Sequence, residues 1–392
     1  MLSATIKNLL APSQISPDQL DIRYRLKVAE QLKDAVGHGN CSASDIFSKM
    51  RGVFPSDVVE YSPGLKTQSD VASNPSVIEY GPELHALHYE WYFTPSVAQE
   101  LNREFAGNQT LTVCLGVPTV ASAAVSQHKA VIFIDRNAQT LIRFPELMRA
   151  SEIHIMDAAR ARGVVSSADV LIFDPPWYPA DTLSWLEEAS HIVRPGGTVA
   201  FALYPSLTRP TAVLERELIL EIASMIGTVD VVQDALAYDT PLFEREALKA
   251  CGIYAGDWRR GDLVTIRGVK PVASPVSCGP CRADIDGLWR TFLIGSQVVK
   301  LRNHSSWADV LLSTIGDSFV FGAVTARNAT RDRIHVWTSR NRVAEVGSTD
   351  ALSDILQQIA SGAPLDLAVR GYEGKFRTDI RGQLNEFLGL ES

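Results

Sequence analysis

No apolar run in the chain is longer than a β-strand. Runs such as VIFI (131–134) and VLIF (170–173) fall far short of the roughly 20 residues that a membrane-spanning helix needs, so no membrane segment is expected. The N-terminus, MLSATIKNLLAPSQISPDQ, lacks a basic segment leading into a long apolar core and a small-residue cleavage site, so no secretory signal is expected. Cysteine is scarce, with five in 392 residues. An odd, scattered set makes no disulfide framework and points to a reducing cytoplasm. Internal repeats and low-complexity tracts are absent. Bulk positive charge is missing as well: the net charge is −8, and residues 85–268 hold 15 basic against 22 acidic groups, so the middle of the chain is no phosphate-binding surface by charge alone. One stretch departs from this. VTARNATRDRIHVWTSRNRV (324–343) carries five arginines against one aspartate.

With 46% apolar and 21% charged residues, the composition is that of a globular protein with ordinary cores. Residues 17–36 place Leu20, Ile22, Leu26, Ala29, Leu32 and Val36 near helical spacing, and Ser42 or Ser44 can cap a second short helix. A Pro-, Ser- and Gly-rich stretch covers 55–82, and GVKPVASPVSCGP, from residue 268, has the same character. Together they predict three parts: a helical N-terminal domain with linker (1–84), a central domain (85–268) and a C-terminal domain (269–392). In the last, TFLIGSQVVKLR, FVFGAVTAR and RIHVWTSRNRVAEV read as strands, and SDILQQIASG reads as a helix stopped by Gly362. A small α+β domain is the result.

In the central domain strand and helix patterns alternate, as in a parallel sheet with crossover helices, so the fold class is α/β. Strands are expected at 111–116, 130–136, 152–157, 169–174, 197–204 and 262–268. Gly116, Asp135, Asp157 and Asp174 fall at the carboxyl ends of four of them, the edge where open α/β sheets bind ligands. A tight turn at Gly116 lets backbone approach an adenosyl or nucleotide ligand. Asp135, 19 residues on, can accept hydrogen bonds from two ribose hydroxyls, and Asp157 can reach an adenine edge. Each of these aspartates, taken singly, also suits an ordinary turn or helix cap. Immediately after the strand DVLIF comes DPPWY (174–178). Its two prolines remove two backbone donors and fix two φ angles near −65°, which reads as a stiff corner with free carbonyls.

FDPPWY (173–178) resembles the (Asn/Asp)-Pro-Pro-aromatic motif of amino-methyltransferases that modify adenine N6, and the central domain looks like a class I S-adenosylmethionine-dependent methyltransferase. The nearer likeness is to the group first described as probable N6-adenine methyltransferases, some of whose eukaryotic members methylate a lysine of an elongation factor. In that group a segment like EWYFTPSVAQEL (90–101) precedes a Leu-Gly-Val-Pro-type turn, and the FDPP corner follows about 60 residues later. The resemblance covers roughly 85–268. It implies a Rossmann-like methyltransferase domain, flanked here by the helical and α+β parts, with S-adenosylmethionine as cofactor and no metal. It places Thr94, Pro95, Leu115, Gly116, Val117, Pro118, Asp135 and Asp157 on the cofactor, although Thr94 suits a helix cap equally well. It places Asp174, Pro175, Pro176, Trp177 and Tyr178 on the methyl acceptor. The family's glycine-rich first turn is LGVPT here, with a single glycine, and Ser122 in the following helix is a candidate for the cofactor's carboxylate.

The expected enzyme is therefore an N-methyltransferase. Asp174 and the Pro175 carbonyl would accept the two N–H bonds of the acceptor amine, and the broad indole of Trp177 would cover a planar base. Adenine N6 in DNA or RNA is the expected acceptor, with Arg331, Arg333, Arg340 and Arg342 on phosphates and Trp337 stacking on a base; a solvated strand face is the competing reading of that run. The alternatives are a lysine methyltransferase, whose acidic core draws basic protein segments, and a silent cofactor-binding scaffold, which the intact DPPW opposes. Related adenine methyltransferases often need a partner subunit, which the flanking domains could bind. Cys278-Gly-Pro-Cys281 suits a turn or local disulfide, a partial zinc site or a redox dithiol. His85 and His88 are expected to be surface or packing residues.

Overall fold

The computed structural model of the chain describes residues 16–37, 43–55, 57–58, 81–88, 90–107, 110–253, 255–270, 288–303, 309–322, 324 and 329–390. Cys278 and Cys281 lie outside these residues. The chain divides into two compact units, residues 1–73, 91–240 and 255–281 in the first and residues 74–90, 241–254 and 282–392 in the second. Among the described residues no helix is long and apolar enough to cross a membrane.

Helices α1 (Pro17–Val36) and α2 (Ala43–Lys49) belong to the first unit, not to a domain of their own. A capping box starts α1: Ser16 accepts from the Gln19 N–H while the Gln19 side chain returns to the Ser16 N–H. The turn after α2 ties this segment to the large sheet. Arg51 pairs with Asp234 at 2.9 Å, its carbonyl accepts from the Leu207 N–H, and Asp262, a fully buried carboxylate, lies 3.7 Å from its guanidinium. A buried carboxylate needs such partners, and Arg216 supplies the other at 2.7 Å.

The large sheet has eight strands: β1 (Tyr92–Phe93), β2 (Thr112–Leu115), β3 (Val131–Asp135), β4 (Glu152–Ile155), β5 (Ala168–Phe173), β6 (Val193–Leu203), β7 (Thr228–Asp239) and β8 (Arg260–Arg267). Their order is β1-β7-β8-β6-β5-β2-β3-β4. Strands β4, β3, β2, β5 and β6 are parallel, while β8 runs antiparallel between β6 and β7. This is the Rossmann-like sheet of the class I methyltransferase fold, with its reversed strand near one edge and its switch point between β2 and β5. The central strands are uniformly apolar because both faces are covered: every residue of β2 is buried, as are Phe133, Leu171, Ile172 and Phe173. At the edge, β4 leaves Glu152 and Ile155 exposed. Helices α3 (Pro95–Phe105), α4 (Pro118–Ser126), α5 (Pro179–Ile192) and α6 (Ala212–Ile226) supply the covering layers.

The second unit is an antiparallel five-stranded sheet ordered β11-β13-β12-β10-β9, from β9 (Trp289–Ile294), β10 (Gln297–Arg302), β11 (Leu312–Ser313), β12 (Val336–Thr338) and β13 (Val343–Val346). It also contains α7 (Leu242–Ala250), α8 (Thr349–Ala360), α9 (Leu365–Val369) and α10 (Ile380–Leu388). Leu301, Val336, Leu352, Ile355, Leu384 and Phe387 form its core. Two expectations change here. Helix α7 falls in this unit and not in the central fold; Cys251, just beyond it, donates to the Gly322 carbonyl. Among its described residues FVFGAVTAR (319–327) contributes an isolated bridge, Val320 to Arg342, in place of the expected strand; residues 323 and 325–327 lie outside the described residues.

Candidate active site

Strand register alone assembles four of the expected residues. Leu115 pairs with Ile134 on one side and with Phe173 on the other, and Asp135 pairs with Ile155. Asp157, Asp135, Gly116 and Asp174 therefore stand in a row along the carboxyl edge of β4, β3, β2 and β5. β7 runs in the same sense as β6, so it ends at this edge too and brings Tyr238; β8, running oppositely, begins there and brings Arg259.

The half of the row expected to hold a cofactor follows from the turn after β2. Gly116 has φ +64°, and a Cβ there would lie 3.0 Å from the Trp185 ring, so glycine is required on both counts. Val117 precedes α4 without a side-chain cap and Pro118, at its first position, has no N–H, so the opening turn of α4 lacks its usual capping bond. Thr119 lies in that turn, and its Oγ1 is buried without a hydrogen-bond partner among the described residues. Asp135 accepts from the Asn137 N–H at 2.8 Å on one oxygen. Asp157, exposed, caps the following turn through the Ala159 N–H. Thr94 precedes α3 and its hydroxyl meets Ser96 at 3.1 Å instead of capping the helix; Pro95 is exposed. Ser122 is committed to Glu146, so the carboxylate contact suggested for it is better met by Thr119. An orphaned buried hydroxyl, an uncapped helix start and a carboxylate on the next strand suit a nucleoside ligand with an anionic tail.

The corner after β5 is stiff, as its prolines demand, but not all its carbonyls are free. The Tyr178 N–H donates to the Pro176 carbonyl at 2.6 Å, and Arg209 donates to the Trp177 carbonyl at 2.8 Å. Arg209 is in turn bound to Glu215, which also accepts from Tyr204, and its guanidinium sits 4.3 Å from the Tyr204 ring. The Pro175 carbonyl accepts from no described residue.

Asp174 stands next to that carbonyl. Tyr238 donates to its Oδ1 at 3.0 Å. Part of the residue keeps solvent access, yet its carboxyl lies deep enough that burial raises its pKa to about 7, against the opposing pull of the Arg259 charge and the Tyr238 hydrogen bond. The Tyr238 hydroxyl is pushed well above its usual range by burial and by the neighbouring carboxylate, so it stays a donor. Trp177 is buried against Tyr238, edge to face at 5.8 Å, and Tyr178 is half-buried.

Arg259, Tyr238 and Trp91 complete this site; the sequence leaves Trp91 open between site and core, marks GDWRRGD as a turn first and a binding element second, and says nothing of Tyr238. Trp91 and the WRRGD turn (258–262) lie 83 to 88 residues from the corner on either side, and only the antiparallel insertion of β8 brings the turn back.

The arginines expected on nucleic acid lie in the second unit, each with a partner. The Arg331 guanidinium sits 4.9 Å from the Trp337 ring, Arg333 pairs with Glu345 at 2.6 Å, Arg340 pairs with Glu83 at 2.9 Å, and Arg342 donates to the Glu386 carbonyl. Trp337 is fully buried, its indole bonded to Asn341, so it cannot stack on a base. His85 is buried too; its Nε2 meets the Trp337 carbonyl and its Nδ1 accepts from the Leu87 N–H, the packing role expected of it.

No family model and no curated protein matches the chain. Among solved structures it is similar to a branched-chain polyamine synthase variant from Thermus thermophilus, in complex with N4-aminopropylspermidine and 5'-methylthioadenosine: 11% identity, 71% of this chain and 96% of that one, TM-score 0.49. An rRNA methylase from Streptococcus thermophilus matches at 14% identity over 45% of this chain and 94% of its own, TM-score 0.28. TrmN from Thermus thermophilus matches at 15% identity over 45% of this chain and 49% of its own, TM-score 0.32. The fold assignment rests on the strand order and directions given above.

Proposed function

We propose that the first unit transfers a methyl group from S-adenosylmethionine to an amine nitrogen, with adenine N6 in DNA or RNA as the acceptor. The observation that carries this reading is the pair of adjacent acceptors, the Asp174 carboxyl and the unengaged Pro175 carbonyl, beside Gly116 at the carboxyl edge of the sheet. Gly116, Val117, Pro118 and Leu115 would follow the cofactor's backbone side, Thr119 its anionic end, Asp135 its ribose and Asp157 its base, with Thr94 and Pro95 nearby. When bound, the cofactor supplies an electrophilic methyl on a sulfonium; the amine lone pair forms the N–C bond as the S–C bond breaks and its electrons go to sulfur.

The protein's part is orientation and charge. An aromatic amine is a weak nucleophile because its lone pair is delocalised into the ring. Accepting both of its N–H bonds at Asp174 and Pro175 favours the tetrahedral nitrogen that can attack, and stabilises the positive charge that develops. The methylated nitrogen then gives up one N–H proton, for which ionised Asp174 is the acceptor. The double proline and the Arg209–Glu215 brace keep the corner from adapting its shape, which is the entropic half of the catalysis. Of the nucleic-acid arginines, Arg333 keeps a 60% exposed side chain beyond its ion pair and is the one best placed to reach phosphate.

A lysine acceptor is the second reading, favoured by the aromatic rings that line the corner. The deciding experiment incubates the protein with methyl-labelled cofactor and, separately, DNA, RNA and cell protein. Label on adenine is expected. Label on protein alone would replace adenine with lysine, and no label in any fraction would overturn methyl transfer.

A further inference from the structure

Three aromatic side chains from three separate elements converge beside Asp174: Trp91 ahead of β1, Trp177 in the corner and Tyr238 near the end of β7. A single guanidinium sits among them. The Cζ of Arg259 lies 3.6 Å from the Trp177 ring centroid, 4.3 Å from that of Trp91 and 5.3 Å from that of Tyr238, and the residue is only 9% exposed. Rings set around a point in this way form the seat that proteins use for ammonium groups. Here the chain fills the seat with its own side chain.

We propose that Arg259 is the specificity-determining residue of the acceptor site: by occupying the cation seat beside Asp174 it excludes ammonium-bearing acceptors and leaves the corner to a neutral amine. The inference names the substrate class for the methyl-transfer reading and rests on it, but the seat itself can be tested without any transfer.

Two features support this. The first is charge. Asp174 alone among three aromatic rings would draw an ammonium; the Arg259 charge already acts on that carboxyl from among the rings, and a second cation would meet like charge in a desolvated site. A neutral aromatic amine meets no such repulsion. The second is anchorage. The Arg259 carbonyl accepts from the Tyr238 N–H at 3.2 Å, and the next residue, Arg260, is paired with Ala237 in the sheet. Trp91 is braced by Trp258 at 5.9 Å, and Trp258 by Phe54 at the same distance. The guanidinium is thus part of a packed wall and not the end of a loose surface chain.

The test titrates the wild type, Arg259→Gln, Arg259→Met and Arg259→Lys with tetramethylammonium chloride against a sodium chloride control, following tryptophan fluorescence, with thermal melts to verify folding. The Gln and Met variants should bind the probe at least tenfold more tightly than the wild type, and the Lys variant, which keeps the charge, should behave as the wild type does. Wild-type binding equal to that of either folded variant overturns the proposal. A parallel arm compares labelled methyl transfer to DNA or RNA with transfer to a lysine-rich peptide. The ratio should move at least tenfold toward the peptide in the Gln and Met variants; an unchanged ratio overturns the proposal while leaving methyl transfer standing. A wild type that transfers nothing counts against the methyl-transfer reading alone, and the titration then decides the role of Arg259.

Discussion

Asp174 in the first unit and Glu83 in the second are both acids with little water around them, and their neighbours differ in kind. Glu83 accepts from Ser296, from Ser339 and from two nitrogens of Arg340, so both oxygens are paired within its own unit. Asp174 receives one hydroxyl on one oxygen, and Arg259, whose charge acts on it, lies against aromatic rings. A buried acid whose hydrogen bonds are complete holds structure together; one left short is poised for donors that arrive from outside. The same contrast separates the arginines. Four in a sequence cluster are engaged at home, whereas Arg259, in the GDWRRGD turn, stands at the candidate site.

The sharpest way to break the comparison is to remove each acid. Asp174→Ala is expected to lower methyl transfer at least ~10³-fold, with cofactor affinity nearly unchanged and only a small change in melting temperature, since the relief of losing a desolvated carboxyl is offset by the buried Tyr238 hydroxyl losing its acceptor. Glu83→Ala should leave transfer within about twofold and cost about 1–3 kcal/mol, because Arg340 and two serines lose their acceptor. Labelled-methyl assays with denaturant melts check both, and an inactive, stable Glu83→Ala would reverse the assignment.

Next in size is the cofactor turn. Gly116→Ala forces a Cβ into the left-handed region and against Trp185, and should weaken binding of S-adenosylhomocysteine, followed calorimetrically, by about one to two orders of magnitude. The pH response is smaller and has a definite sign. Asp174 has its pKa raised in the folded state to about 7, so transfer should climb with pH through that value and level off above it. Stability shows the opposite slope. The folded protein holds this proton more tightly than the unfolded chain, so the contribution is greatest below about pH 4 and is lost as pH rises to about 7. Tyr238→Phe removes a hydrogen bond that favours the ionised form and should move the midpoint of the rate profile upward. The smallest effect belongs to the second unit. Neutralising Arg331, Arg333, Arg340 and Arg342 together should lower the log–log salt slope of nucleic-acid binding by only about one, the share of Arg333, and not by the ~four that a full phosphate-binding patch would give.

Much of the large sheet was legible because its strands are buried on both faces and read as short apolar blocks; β2, β3 and β5 lie within a residue or two of their expected bounds. β7 was not, because polar residues split TVDVVQDALAYD and its register is interrupted between Val232 and Leu236, which pair with Leu263 and Gly261. The site divides along the same line. Gly116, Asp135 and Asp174 sit at strand ends, so periodicity finds them. Arg259, Tyr238 and Trp91 come together through a reversed strand, a pairing no local pattern records. The arginine run shows the complementary limit: composition counts charges and is silent about carboxylates such as Glu83, some 250 residues away in sequence.

The two prolines of the corner have a consequence beyond rigidity. Neither Pro175 nor Pro176 carries an N–H, and the N–H of Tyr178 is turned back onto the Pro176 carbonyl. Once Asp174 is ionised, its carboxylate and the Pro175 carbonyl offer a visitor oxygen lone pairs, and neither proline has an N–H to set beside them. On the proposed adenine reading, an exocyclic amino group would find two receivers there, while a keto oxygen would meet oxygen against oxygen. A missing hydrogen on each of two residues would then favour an incoming amine by the direction of its hydrogen bonds before any chemistry begins.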